Sequence, residues 1–156
     1  MTETTTQARM EPGEFRAVTH FLGMSVRDLT RYFHVESDEI RAWLDGSIRI
    51  PDSIAAAIEQ MESETSDYVA DLVELLDNVD DDSPVVVIHR NDHSFRAAHP
   101  ELRKWTAGWY LNAVMRAATE VGDVRLVNAE DAAYAILAGS ATASEIAAGV
   151  RVVPVK

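Results

Sequence analysis

The chain has 156 residues, 47% of them apolar, with no cysteine and a formal net charge of −12 at pH 7. That length accommodates one domain or two very small ones, and the apolar fraction supplies a real core. Disulfides, thiolate metal sites and cysteine nucleophiles are excluded, and no apolar run approaches the roughly 20 residues that span a bilayer. The opening MTETTTQARM carries neither a basic region nor an apolar stretch. No signal peptide is expected from it, and a cytoplasmic location is. The acidic balance weighs against nucleic acid as a partner, because phosphate contacts need Lys and Arg. It is spread evenly: the first 62 residues carry six arginines against eleven Asp and Glu, the remainder eight basic against fifteen acidic. Any DNA binding must then come from a local arrangement of a few arginines.

Residues 1–9 are polar and aperiodic and read as a disordered tail. Glu11-Pro12 opens a helix, with proline at the first helical position. Phe15, Val18 and Leu22 share one face, and Gly23 stops it. Ser25 and Asp28 form a capping-box pattern for a second helix striped by Val26, Leu29 and Phe33. His34 is placed to end it in the left-handed conformation. Ile40, Trp43 and Leu44 give a third helix ended by Gly46. Ile50-Pro51-Asp52 starts a fourth, running through Ile54, Ile58 and Met61. The tight turn at His34-Val35 between the second and third helices is the spacing of a helix-turn-helix, whose second helix can lie in the major groove.

A longer amphipathic stretch follows over 64–79, with Tyr68, Leu72, Leu75, Leu76 and Val79 at spacings of three and four. Asp80-Asp81-Asp82-Ser83-Pro84 reads as a solvated acidic turn rather than a metal site. Val85 to Ile88 is a β-branched run and predicts a buried strand. Residues 89–101 read as a polar, His-rich connection, Leu102 to Val121 as a strong helix, and Val124 to Val127 as a second short strand. Further helices are expected at 130–137 and 140–148, and an edge strand at 150–155, where Pro154 bars a central place.

The segment EFRAVTHFLGMSVRDLTRYFHVESDEIRAWLDGSIRIP resembles the lambda-repressor-like, Cro-type helix-turn-helix family. The likeness is carried by Leu22-Gly23-Met24-Ser25, Leu29-Thr30, Trp43-Leu44-Asp45-Gly46 and the trailing Ile48-Arg49-Ile50-Pro51. Residues from Ser83 to Val127, with Gly108-Trp109-Tyr110-Leu111 as the marker, are similar to the C-terminal domain of YdiL-like regulators and anti-CRISPR-associated autorepressors. The resemblance implies an N-terminal domain that binds an inverted repeat and a C-terminal domain that pairs two protomers. One departure matters. The third helix opens Glu36-Ser37-Asp38-Glu39, three carboxylates that would face a duplex carrying one negative charge per ~1.7 Å of axis. One acid can accept from cytosine N4; three are hard to place there. Equally, acids in a first helical turn simply complement the helix dipole.

The fold class expected is α+β, mostly α: a helix-turn-helix domain over 10–62, then a small helix-and-short-strand dimerisation domain over 63–156. Candidate DNA-binding residues are Ser25, Arg27 and Arg31 of the second helix, Ser37, Asp38 and Arg41 of the third, and Arg49 in the loop after it. Trp43 falls on the core face and is expected to be structural. The helix 102–121 is apolar on more than one side, which calls for burial on more than one side. Trp105, Trp109, Tyr110 and Val114 are therefore the expected dimerisation residues. His89, Asp92, His93 and His99 lack a metal-site spacing, and neither a metal, a cofactor nor an enzymatic activity is expected. A basic excess at Arg90, Arg96, Arg103 and Lys104 reads either as a second nucleic-acid surface or as a rim balancing nearby acids. The expected function is a dimeric, DNA-binding autorepressor acting on double-stranded DNA. The alternative is an acidic protein-interaction module of the same fold that no longer binds DNA.

Overall fold

Each of the first three helices is set by its ends. The computed structural model describes residues 9–79 and 84–131. Helix α1 (Pro12–Phe21) begins at proline, and the Glu11 backbone N–H donates to Glu14 Oε2 at 2.8 Å. Helix α2 (Val26–Phe33) has the reciprocal cap the sequence predicts: Asp28 N–H donates to Ser25 Oγ at 3.2 Å, and Ser25 N–H to Asp28 Oδ2 at 2.9 Å. Such a cap is worth about 1 kcal/mol. His34 ends α2 in the left-handed region, at φ 55° and ψ 42°. Helix α3 (Ser37–Asp45) ends at Gly46, φ 82°, where a side chain would be strained. Ile40 and Trp43 of α3 are buried, and Phe15 of α1 meets the Trp43 ring edge-on at 6.0 Å.

Helix α4 (Asp52–Asp77) is one unbroken element of 26 residues, not a short fourth helix followed by a connector. No Gly or Pro lies between Pro51 and Pro84, so nothing in the chain interrupts it. Ile58, Met61, Thr65, Val69, Leu72 and Leu76 form its continuous buried stripe. At 1.5 Å per residue it is about 39 Å long. The expected division after residue 62 falls inside it.

Strands β1 (Val85–Ile88) and β2 (Arg125–Asn128) form a two-stranded parallel sheet, in register Val85 with Arg125 through Ile88 with Asn128. A parallel pair needs a crossover. Helix α5 (Asp92–Ala98), a single 3-10 turn (Pro100–Leu102) and helix α6 (Ala107–Val121) supply it. Two expectations are corrected here. The polar stretch 89–101 contains a helix, because Asn91 is its N-cap and accepts from Ser94 N–H at 2.8 Å. The following helix begins at Ala107 rather than Leu102, because Thr106 caps it, accepting from Trp109 N–H at 3.0 Å.

The core explains why α6 is apolar on several sides. One side packs on α4, where Trp109 Nε1–H donates to Thr65 Oγ1 at 2.9 Å. Another packs on β1, where Tyr110 O–H donates to the Val87 carbonyl at 3.1 Å. Trp105, from the turn before α6, stacks on Trp109 with centroids 4.3 Å apart and planes 11° from parallel. Trp105, Trp109, Tyr110 and Val114 are at most 3% exposed. The expected dimerisation residues are thus packed within the chain's own core, and α4 and β1 fill the role assigned to a second copy.

Gly23 and Gly108 join the α1–α3 layer to α6. A Cβ on Gly23, which has φ +66°, would lie 2.6 Å from the Gly108 carbonyl carbon and oxygen. Only a hydrogen at both positions lets the backbones meet. Asn112 Nδ2 then donates to the Phe21 carbonyl at 3.1 Å, and the Arg116 guanidinium lies 4.3 Å from the Phe21 ring centroid. The architecture is α+β and mostly α. Among the described residues no helix is long and apolar enough to cross a membrane. Residues 1–8 of the expected tail over 1–9, residues 80–83 of the acidic turn and residues 132–156, with nearly all of the elements expected there, lie outside the described residues.

Candidate nucleic-acid interface

Packing against α1 and α2 buries Ile40 and Trp43 and leaves the opposite face of α3 outside. Ser37 and Asp38 open that face and Arg41 lies one turn on. The Arg41 Nη1–H donates to Ser37 Oγ at 3.1 Å and to Asp38 Oδ1 at 3.0 Å. The Asp38 side chain is 95% exposed and that of Arg41 61%. Arg49, in the loop after α3, bonds Asp52 at 2.8 Å, again in solvent. Exposed pairs like these contribute about 0–1 kcal/mol, so both arginines exchange partners at little cost. Asp45 and Ser47 shape the intervening loop. The Ser47 hydroxyl and N–H both donate to the Asp45 carboxylate, and these bonds hold its pKa below the ordinary value. Trp43 is structural, as its spacing predicts.

The α2 candidates divide. Ser25 is engaged as the cap, accepting from Asp28 N–H and donating to Asp28 Oδ2 at 2.7 Å. Arg27 and Arg31 are exposed and make no hydrogen bond or ion pair among the described residues. They do not face α3. They face the segment from α5 to Thr106 across two adjoining hollows of about 610 and 810 Å³, which share Asp28, Arg31 and Arg96. Arg103 and Lys104 line the far wall. Arg96, Arg103 and Lys104 of the basic excess and the arginines of α2 thus line one groove, whereas Arg90 pairs with Asp131. The sequence displays both halves of it but not that they meet.

The histidines separate as well. His93 is exposed, whereas His89 and His99 are buried with Phe95 and Tyr110, the two imidazoles 5.4 Å apart and edge to face. His89 Nδ1 pairs with Ser94 Oγ at 2.9 Å. Burial pushes both pKa values below the ordinary histidine value, and the nearby Glu101 opposes this at His99. Asp92 accepts from Ala107 N–H at 2.9 Å and so ties α5 to the start of α6. Among the described residues no three His, Asp or Glu side chains form a metal-binding group.

Comparison with known proteins finds no matching family model and no curated protein of significant sequence similarity. The likeness to Cro-type and YdiL-like regulators therefore rests on the motif residues alone.

Proposed function

We propose that the chain is a sequence-specific DNA-binding regulator, a cytoplasmic dimeric autorepressor that binds an inverted repeat and carries out no catalysis. The observation that carries this reading is the α2–His34–α3 unit. A left-handed residue joins two short helices, α3 packs on α1, and the outward face of α3 is open. In that arrangement α3 enters the major groove, and Ser37, Asp38 and Arg41 reach base edges. Asp38 accepts from a cytosine N4 amine, and Arg41 releases it to reach guanine or phosphate. Arg49 contacts the backbone from its loop. Two protomers are required for an inverted repeat, with half-sites about 34 Å apart. With Trp105, Trp109, Tyr110 and Val114 enclosed, the second copy meets three of the apolar side chains left outside, Phe21, Leu111 and Met115, each at least 36% exposed; Ile48 and Leu75 are exposed as well.

A second reading, a protein-interaction module of the same fold, is favoured by one observation. Glu36, Asp38 and Glu39 are an exposed or half-exposed acidic front, and both arginines near it are already paired with aspartates. An electrophoretic shift with the DNA upstream of the chain's own coding region separates the readings. A shift that is lost in Arg41→Ala is expected. No shift with any duplex at low salt, even when Glu36, Asp38 and Glu39 are all neutralised, overturns the regulator reading in favour of the second.

A further inference from the structure

The groove along α2 is a local reversal of the chain's charge. Its near wall carries Arg27 and Arg31, and its far wall Arg96, Arg103 and Lys104. Two carboxylates also line it, and each is occupied. Asp28 accepts from the N–H and O–H of Ser25, and Asp92 from the N–H of Ala107, with its other oxygen 3.7 Å from Arg96 Nη1. Two of the cations are structural. The Arg96 guanidinium donates to the carbonyls of Arg103 and Trp105, both at 3.0 Å, and fixes the turn before α6. Lys104 pairs with Glu64 of α4 and lies 5.0 Å from the Trp105 ring centroid. Arg103 donates its Nε–H to the Pro100 carbonyl at 3.2 Å, and neither of its terminal nitrogens makes a bond among the described residues. Three guanidinium heads, of Arg27, Arg31 and Arg103, thus line one open groove with no carboxylate bound to them among the described residues. In a chain of net charge −12, cations without a carboxylate among the described residues, gathered from segments some seventy residues apart, offer a site to an anion from outside.

We infer that this groove is a phosphate-binding site, built jointly by α2 and the segment from α5 to Thr106, with Arg27, Arg31 and Arg103 as its ligands. Guanidinium groups suit phosphate because their paired N–H donors match two of its oxygens. The hollows are open along α2 rather than closed over, so the site admits either a diester of a nucleic-acid backbone or a free phosphate ester. It stands whether or not α3 reads DNA.

The test uses the full chain and two probes: a short fluorescent duplex of arbitrary sequence, and inorganic pyrophosphate followed by calorimetry. The double variant Arg31→Glu, Arg103→Glu is expected to weaken at least one probe about tenfold or more. The milder Arg31→Gln, Arg103→Gln pair keeps side-chain length and is compared with it by circular dichroism. Arg125→Glu, an exposed strand residue far from the groove in sequence, makes half the charge change and is expected to alter binding less than about twofold. If the duplex weakens, the slope of log affinity against log salt falls by about 0.9 for each phosphate that the variant no longer neutralises. Weakening of the duplex assigns the groove to a nucleic-acid backbone, and weakening of pyrophosphate alone assigns it to a free phosphate ester. The inference is overturned if the wild type binds neither probe, or if Arg125→Glu loses as much as the groove variants. An operator shift that needs Arg41 but not Arg31 or Arg103, with pyrophosphate binding also unchanged in the groove variants, overturns the groove and leaves the regulator standing. Pyrophosphate binding without any duplex shift does the reverse.

Discussion

The outward face of α3 and the groove along α2 are two charged surfaces on successive helices, and they handle charge in opposite ways. On α3 and the loop after it the arginines are paired with carboxylates: Asp38 holds Arg41, and Asp52 holds Arg49. In the groove Asp28 is taken up by the donors of Ser25 and Asp92 by the Ala107 N–H and Arg96, which leaves the guanidinium heads of Arg27, Arg31 and Arg103 with no carboxylate among the described residues. An aspartate whose oxygens already accept from nearby donors keeps its charge but has less to offer a further guanidinium. Net charge therefore says little about which surface attracts an anion. What decides is whether each carboxylate already has a donor.

The comparison can be broken most completely at the joint that holds α2 opposite α5. Gly23→Ala adds a Cβ 2.6 Å from the Gly108 backbone at a left-handed position, and a cost of about 3 kcal/mol or more is expected. Gly13, with nothing within 4 Å of its would-be Cβ, is the control, and Gly13→Ala should be neutral or stabilising by about 0.5 kcal/mol. Urea denaturation of both variants checks this. Equal midpoints would mean that the halves do not meet at this point.

A smaller effect separates the surfaces at the level of DNA. If α3 reads an operator, Arg41→Ala should cost about 1–3 kcal/mol there and relax specificity at one base position. Titration against single-base variants of a confirmed operator measures it. Unchanged binding would remove Arg41 from the site.

Acid should destabilise the fold through the core beside α5. His89 and His99 lie buried beside Phe95 of α5, whereas His20 and His34 of the first three helices are exposed. Burial lowers the pKa of both buried imidazoles, so the folded chain favours their neutral forms. The unfolded chain takes up their protons below about pH 6.5. Stability is therefore fully present above that pH and falls as pH drops through it, by up to about 1.4 kcal/mol per unit for each histidine. Melting curves between pH 7.5 and 5 test the sign. A chain that grows more stable on acidification over that window would contradict this burial. The slightest effect is at Asp38. Asp38→Asn removes one exposed repulsive charge and should raise non-specific duplex affinity by a few-fold at low salt. Anisotropy with a random duplex reads it, and an unchanged value would place α3 away from the DNA.

The first three helices were legible because their signals are local. Pro12, the Ser25–Asp28 pair, His34 and Gly46 each fix an end from within a few residues. Other features needed the third dimension. Asn91-Asp92 after a strand looks like a turn, yet Asn91 caps α5 and Asp92 reaches Ala107. Trp105 and Trp109 are four apart, which suggests one helical face, but Thr106 starts the helix between them and Trp105 folds back from a turn. The apolar girth of α6 was visible. What covers it was not, because Thr65 and Val87 lie more than twenty residues away. The groove was hidden for the same reason, since its walls are separate runs of basic residues until the chain is folded.

Helix α4 passes through the middle of both halves, and its buried stripe runs unbroken from Ile58 beside the first helices to Leu76 near the sheet. Cutting the chain near residue 62 would leave Thr65 and Met61 on different fragments, each facing a core with part of its wall missing. Backbone amides along that stripe are thereby denied any small, local opening through which to exchange with solvent deuterium. They should be the slowest in the molecule and share a single opening free energy, so that hydrogen exchange would register this helix as the timekeeper of the whole fold.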